Sequence, residues 1–454
     1  MPEFDSIIRA RFHEWRGLWE EALRIPSLVT DAAAMQQMRE WLTALMVSHG
    51  FTVRELDNPG QPVLLAEDGP EGGQVPTVLI YGHYDVQPAE MADGWDSAPF
   101  EPSEREGRLF GRGTGDNKGQ HLAHIFGIMA LKERCGGVLP LRVKILLEGE
   151  EESGSPHLAD VIQRYRSDIA ADYAITSDGP MGLSDHPVIR LGVRGILSFA
   201  LRARGARFDN HSGHKGNVVP NPAWRLVEVL TALKTDDGQV NLPGFYDDVV
   251  PLGVRDREFI SRLPFDPQRL AVTLGVTEDR LAGWDAMEYY RRLMMPSFSI
   301  TGMHSGYVGS GQKSIIPAEA EVRCEFRLAA DQKPERIAAA LSAFMAKEFP
   351  DVECVIHPGW MAPSRTDPGH PAIERLRRAV ERAYGLAPYI EPAMGGSLPD
   401  YVFTDLLGVP SFIIPLANQD EANHGPNENM RIDLFQRGIA ASAEILKALA
   451  ETED

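Results

Sequence analysis

The chain has 454 residues, with 45 Lys and Arg against 65 Asp and Glu, a formal charge of −20. That excess of carboxylates, with no basic run, excludes a protein that tracks nucleic-acid phosphates or is drawn to an anionic membrane surface. At 43% hydrophobic and 24% charged residues, the composition is that of a globular protein with chain enough for a large core and two or three domains.

No apolar run approaches the ~18 residues of a spanning helix. The opening MPEFDSIIRARFHEW puts acids where a secretory signal has a basic region, so a cytoplasmic protein is expected. Cys135, Cys324 and Cys354 are too few and too scattered for a disulfide framework or a thiolate zinc site.

In chain order, Ile7, Ile8, Phe12, Trp15, Trp19 and Leu23 recur near helical spacing, as do Met35, Met38, Leu42, Leu45 and Met46, predicting helices over 3–23 and 34–49. Strand-length apolar runs follow at 77–81, 141–147, 173–176 and 410–416, near-continuous as in strands covered on both faces. Segment 118–134, with Leu122, Ile125, Phe126, Met129 and Leu131, reads as a helix between the first two. Strand, helix, strand predicts an α/β layered domain.

Over 188–203 and 319–328 apolar and polar residues alternate instead, as in half-exposed strands, with a helix over 222–233 and a short strand over 297–302 between them. A smaller α/β domain inserted into the first accounts for the change. The expected division is 1–190 with 366–454 and, between them, 191–365, bounded by the glycines at 192–195 and the turn-rich 363–371. Residues 244–295, charged and carrying Trp284, Tyr289 and Tyr290, read as a helical insertion within the smaller domain.

The predicted strand ends carry metal-competent side chains: His83 and Asp85 after the first, Glu148 to Glu152 after the second, Asp178 after the third and His424 after the last. Open α/β sheets gather ligands at such ends. His83 and Asp85, two apart, point to one face, where the carboxylate can orient the imidazole. The glycine-rich 111–119 lacks phosphate-loop spacing and holds Asp116 at its centre, so its tight backbone suits presenting that carboxylate. Adjacent carboxylates after a buried strand are costly unless a cation answers them. Two histidines and several carboxylates without thiolates suit zinc or a neighbouring divalent ion in a catalytic site.

Together YGHYDVQP at 81–88, GRGTGDNKG at 111–119, EGEEESGS at 148–155, Ser177-Asp178, DNHSG at 209–213, Gly395-Gly396-Ser397 and the late His424 run in one order along the chain. In that order they resemble the zinc metallopeptidase family that holds carnosinase-type dipeptidases, aminoacylases, acetylornithine deacetylase and succinyl-diaminopimelate desuccinylase. The resemblance implies an α/β fold with a mixed, mostly parallel central sheet flanked by helices and an inserted α+β lid and dimerisation domain. It implies two divalent metal ions per subunit, zinc ahead of manganese or cobalt, with His83, Asp116 and Asp178 around one and Asp116, Glu152 and His424 around the other. Asp85 would then support His83, Glu151 would be the general base acting on a water between the ions, and the bond after Asp116 would be cis. His211 would reach the active site of a partner subunit and stabilise the oxyanion, making a homodimer. Arg327, Gly396 and Ser397 would hold the substrate's carboxylate, the alternative for Arg327 being a pairing with Glu325 or Glu321.

Within the family, YGHYDVQP, EGEEESGS and the long insertion resemble the dipeptidase members most. The implied reaction is hydrolysis of dipeptides or short peptides with a free C-terminal carboxylate. Hydrolysis of N-acyl or N-carbamoyl amino acids is the alternative, and a non-catalytic peptidase-fold binding protein the remote one. The chain departs from dipeptidase relatives after His211, reading HSGHKGN where they often carry a Gly-Gly pair, so His214 and Asn217 mark an altered lid.

Overall fold

In the computed structural model, which describes residues 3–72 and 75–451, the four apolar runs become adjacent parallel strands: Arg142–Glu148, Thr77–His83, Tyr173–Thr176 and Ser411–Ile413. Val63–Asp68 and Thr52–Leu56 extend them antiparallel on one side, and Val188–Arg190 and Tyr389–Glu391 complete an eight-stranded sheet on the other. Val78, Ile80, Val143, Ile145 and Ile175 face helices Asp5–Leu23, Ala32–Ser48, Lys118–Arg134, Ala372–Tyr384 and Ile432–Ala450. The alternate residues Leu79, Tyr81, Leu146 and Ala174 face helix Leu158–Arg164 and the helical turn Val402–Leu407. Burial on both faces is why these strands read as near-continuous apolar runs.

Strands Ser297–Ser305, Glu319–Leu328, Gly195–Arg204 and Val352–Ile356 form, in that order, a separate antiparallel sheet. Leu197, Phe199, Leu201, Val322, Cys324 and Phe326 bury one face under helices Pro222–Leu233 and Pro334–Glu348, which explains the period-two pattern in the sequence. The fold is the mixed α/β arrangement expected.

Two details differ from the sequence reading. The stretch 188–203 is not one strand: Val188–Arg190 joins the large sheet, Gly192–Val193 pairs with Ser364–Arg365, and only Gly195–Arg204 joins the small one. Gly192 permits the crossing, since a Cβ there would fall 2.2 Å from the Ser364 carbonyl oxygen. The insertion is helical, with Val254–Ile260, Pro267–Leu274 and Ala286–Met294, but it packs on the edge of the large sheet. Ile260, Leu263 and Met294 bury against Tyr389 and Ala393, and Asp256 takes Arg365 at 2.5 Å. Among the described residues no helix is long and apolar enough to cross a membrane.

Candidate metal centre

His83 ends its strand, Asp178 lies two residues beyond Thr176, Glu151 and Glu152 sit in the turn after Glu148, and His424 follows the strand Ser411–Ile413. All therefore stand at the carboxyl ends of four adjacent parallel strands. Asp116 comes from the loop before helix Lys118–Arg134, and its peptide bond to Asn117 is cis. Gly119, in the first turn of that helix, lets the loop fold back on it, because a Cβ there would fall 1.9 Å from the Thr114 carbonyl oxygen.

Asp116 lies between two imidazoles. His83 Nε2 is 3.1 Å from its Oδ1 and 3.7 Å from Asp178 Oδ2. On the other side, His424 Nε2 is 3.0 Å from Asp116 Oδ2 and 3.0 Å from Glu152 Oε2. Donor atoms of His83, Asp116 and Asp178 thus lie within 4.8 Å of one another, and so do those of Asp116, Glu152 and His424. His83 Nδ1 faces Asp85 Oδ1 at 3.2 Å, so its Nε2 is the nitrogen aimed into the centre. The other Asp85 oxygen, Oδ2, accepts the Glu152 backbone N–H at 3.0 Å. Glu151 Oε2 stands 4.0 Å from His83 Nε2, beside both donor groups and in neither.

The charges explain why these groups suit cations. Burial, then the neighbouring Asp116, pushes Asp178 up to about 7. Burial also pushes Glu151 well up, opposed by His83 and reinforced by Asp178 and Asp116. Asp116 is held well below the usual carboxylate range by hydrogen bonds from His424 and His83, against its burial. Hydrogen bonds to Asp116 and Glu152 raise His424 to about 10. The three carboxylates of Asp116, Asp178 and Glu152 with two imidazoles form a donor set that divalent ions satisfy, with one histidine and a shared aspartate on each side.

The other predicted residues divide into two groups. Arg327, on the small-sheet strand Glu319–Leu328, and Ser397, in the loop after Tyr389–Glu391, meet: Arg327 Nη1 donates to Ser397 Oγ at 2.8 Å and its Nε to Glu325 Oε1 at 3.1 Å. Glu321 pairs with Arg202 and Arg323 instead. Gly396 contributes its carbonyl, which accepts the Arg194 N–H at 3.1 Å. His211 is exposed in the pair Asn210–His211 with Ile315–Ile316, its Nδ1 accepting the Gly213 N–H at 3.1 Å and its ring 4.5 Å from that of His214. No described hydrogen bond or ion pair joins it to the centre of its own chain. Glu150 turns away to His157 at 2.9 Å.

Sequence reasoning missed the residues that fasten the centre. Buried Glu428 accepts backbone N–H groups of Gly113, Gly115 and Asp116 at 2.9 to 3.0 Å and the guanidinium of buried Arg112 at 2.7 Å. Gln87 donates its backbone N–H and its side-chain amide to Glu152 at 3.1 and 2.9 Å. A lone Glu or Gln in a loop carries no periodicity or spacing that would single it out.

A family model described as peptidase family M20/M25/M40 matches residues 79–448. The Cys-Gly metallodipeptidase dug1 of Schizosaccharomyces pombe is 30% identical, over 94% of each chain. The human Beta-Ala-His dipeptidase is 30% identical, over 87% of this chain and 78% of its own. The crystal structure of the M20 family metallo-carboxypeptidase Sso-CP2 from Sulfolobus solfataricus superposes with a TM-score of 0.87 at 30% identity, covering 96% of this chain and 99% of that one. The matched span takes in the strand ends that carry His83, Glu151, Glu152, Asp178 and His424, and the chain belongs to the M20/M25/M40 family of metallopeptidases.

Proposed function

We propose that this enzyme is a metal-dependent dipeptidase that releases the C-terminal residue of dipeptides or short peptides bearing a free carboxylate. The carrying observation is Asp116 shared between two histidine-containing donor groups with Glu151 beside both and bound into neither. His83, Asp116 and Asp178 would hold one divalent ion, and Asp116, Glu152 and His424 a second, with zinc favoured and manganese or cobalt compatible. When bound, such ions supply Lewis-acid activation of water and of the scissile carbonyl. Glu151 takes the proton of the attacking water and returns it to the departing amine. Asp85 holds His83 by Nδ1. Arg327 and Ser397 grip the substrate carboxylate. The substrates named for the relatives, Cys-Gly and β-Ala-His, end in such a carboxylate.

Residues 1–190 with 366–454 form the catalytic unit in this reading and 191–365 the lid, a division supported by the separate hydrophobic cores of the two sheets. The lid also joins a second copy. The outer edge of Ser297–Ser305 is unpaired among the described residues, and Ile300, Met303 and Trp224 are exposed. His211, unattached to its own centre, then donates to the oxyanion of the partner's substrate. The free thiols of Cys135, Cys324 and Cys354 support a reducing, cytoplasmic setting.

A panel of dipeptides, with N-acetyl, N-succinyl and N-carbamoyl amino acids alongside and metal analysis of the protein, tests the assignment. Dipeptide turnover with about two bound ions per chain is expected; rates confined to the acylated amino acids would replace it with the deacylase reading.

A further inference from the structure

Arg194 stands at the crossing between the two sheets, just after the pair formed by Gly192–Val193 and Ser364–Arg365. Its backbone N–H is shared between the carbonyls of Met394 and Gly396 at 3.2 and 3.1 Å. Its Nε donates to the Gly395 carbonyl at 2.8 Å and its Nη1 to the Met295 carbonyl at 3.1 Å. One side chain therefore ties the loop ending in Ser397 to residue 295, which leads into the lid strand Ser297–Ser305. The guanidinium makes no described hydrogen bond through Nη2, and that nitrogen lies 3.4 Å from where a Cβ on Gly395 would be.

The charges here do not balance internally. The half-buried Arg194 is held by the Gly395 and Met295 carbonyls and, at 3.5 Å, by Ser297 Oγ, with no described hydrogen bond to a carboxylate, whereas Arg327 has Glu325. Two guanidiniums against one carboxylate leave one positive charge, next to a serine hydroxyl already engaged by Arg327. Burial, then the nearby Arg327, pulls Arg194 down to about 10. A single anionic group on the ligand neutralises the surplus, and a C-terminal carboxylate is such a group.

We propose that Arg194 is a specificity-determining positioning residue, which shapes the 394–397 loop so that Ser397 meets Arg327 and adds the second positive charge that selects substrates with a free carboxylate. This rests on the dipeptidase reading above. Lysine keeps the charge but cannot reach the Gly395 and Met295 carbonyls together through a planar fork, and methionine keeps only the stem.

The test compares a dipeptide with its C-terminal amide in wild type, Arg194→Met and Arg194→Lys, with circular dichroism and metal content measured on each. The expected result for Arg194→Met is a KM raised about 10- to 100-fold for the free acid, a kcat changed far less, and little effect on the amide, so that the acid-over-amide preference collapses. Arg194→Lys should keep part of the preference. A folded, metal-loaded Arg194→Met with an unchanged preference, or with both substrates slowed in proportion, overturns the proposal. Should Arg194→Met fail to fold, an unchanged preference in Arg194→Lys does the same. If wild type cleaves only N-acyl amino acids, the dipeptidase reading fails, and the same ratio measured on an N-acetyl amino acid and its amide still decides the role of Arg194.

Discussion

Asp116 and Glu428 are 312 residues apart, yet the Glu428 carboxylate accepts the Asp116 backbone N–H at 3.0 Å. The same carboxylate takes the N–H groups of Gly113 and Gly115 and the guanidinium of Arg112. A buried anion thus fixes the loop that presents the shared aspartate. Glu428→Gln removes the charge opposite buried Arg112, and an uncompensated buried charge costs roughly 3 to 5 kcal/mol. The variant should unfold at clearly lower denaturant concentration and bind metal about 10- to 100-fold more weakly, as loss of a residue supporting a ligand does. Equal stability in a denaturant titration would contradict this account of the loop.

Glu151→Gln should retain fold and metal content while turnover falls by about 10²- to 10⁴-fold or more. The amide matches the carboxylate in shape and cannot accept a proton. Because Glu151 belongs to neither donor group, metal stoichiometry separates this outcome from loss of a ligand. If the variant turned over at the wild-type rate, another base would have to be found.

His211→Ala should also retain metal and lose turnover, and its defect should be repaired by a partner. Mixing it with Glu151→Gln under conditions of subunit exchange yields heterodimers with one site that has both residues intact. Activity should return to a fraction of wild type. Verified exchange with no recovery would remove His211 from the partner's site.

His124 is fully buried, with Nε2 2.7 Å from Ser177 Oγ and Nδ1 3.0 Å from Ser442 Oγ, and burial lowers it to about 4. Its folded value lies below the unfolded one of about 6.5. The stability it confers by staying neutral is therefore complete above about 6.5 and is lost as pH falls through 4. The loss amounts to roughly 3 kcal/mol over that window. His124→Gln should flatten this part of the stability profile, measured by urea titration between pH 7 and 4. A variant with the wild-type slope would show that other groups set it.

Several elements were readable locally. Tyr173–Thr176, Lys118–Arg134, Pro222–Leu233 and Glu319–Leu328 run over the residues that their apolar patterns marked, because periodicity records which faces are buried. The side chains of the centre were also suggested by residue type at predicted strand ends. Tertiary structure alone decided that His83 and His424 flank the same aspartate, since strand order depends on pairings between segments far apart in sequence. The same limit explains the split of 188–203, where alternation fits either sheet equally well and the close approach at Gly192 settles the crossing. It explains the insertion, whose apolar residues do not say which surface they cover. Glu428 and Arg194 were illegible for a related reason: an isolated polar residue acquires its meaning from carbonyls and N–H groups hundreds of residues away, and those contacts exist only once the sheets have assembled.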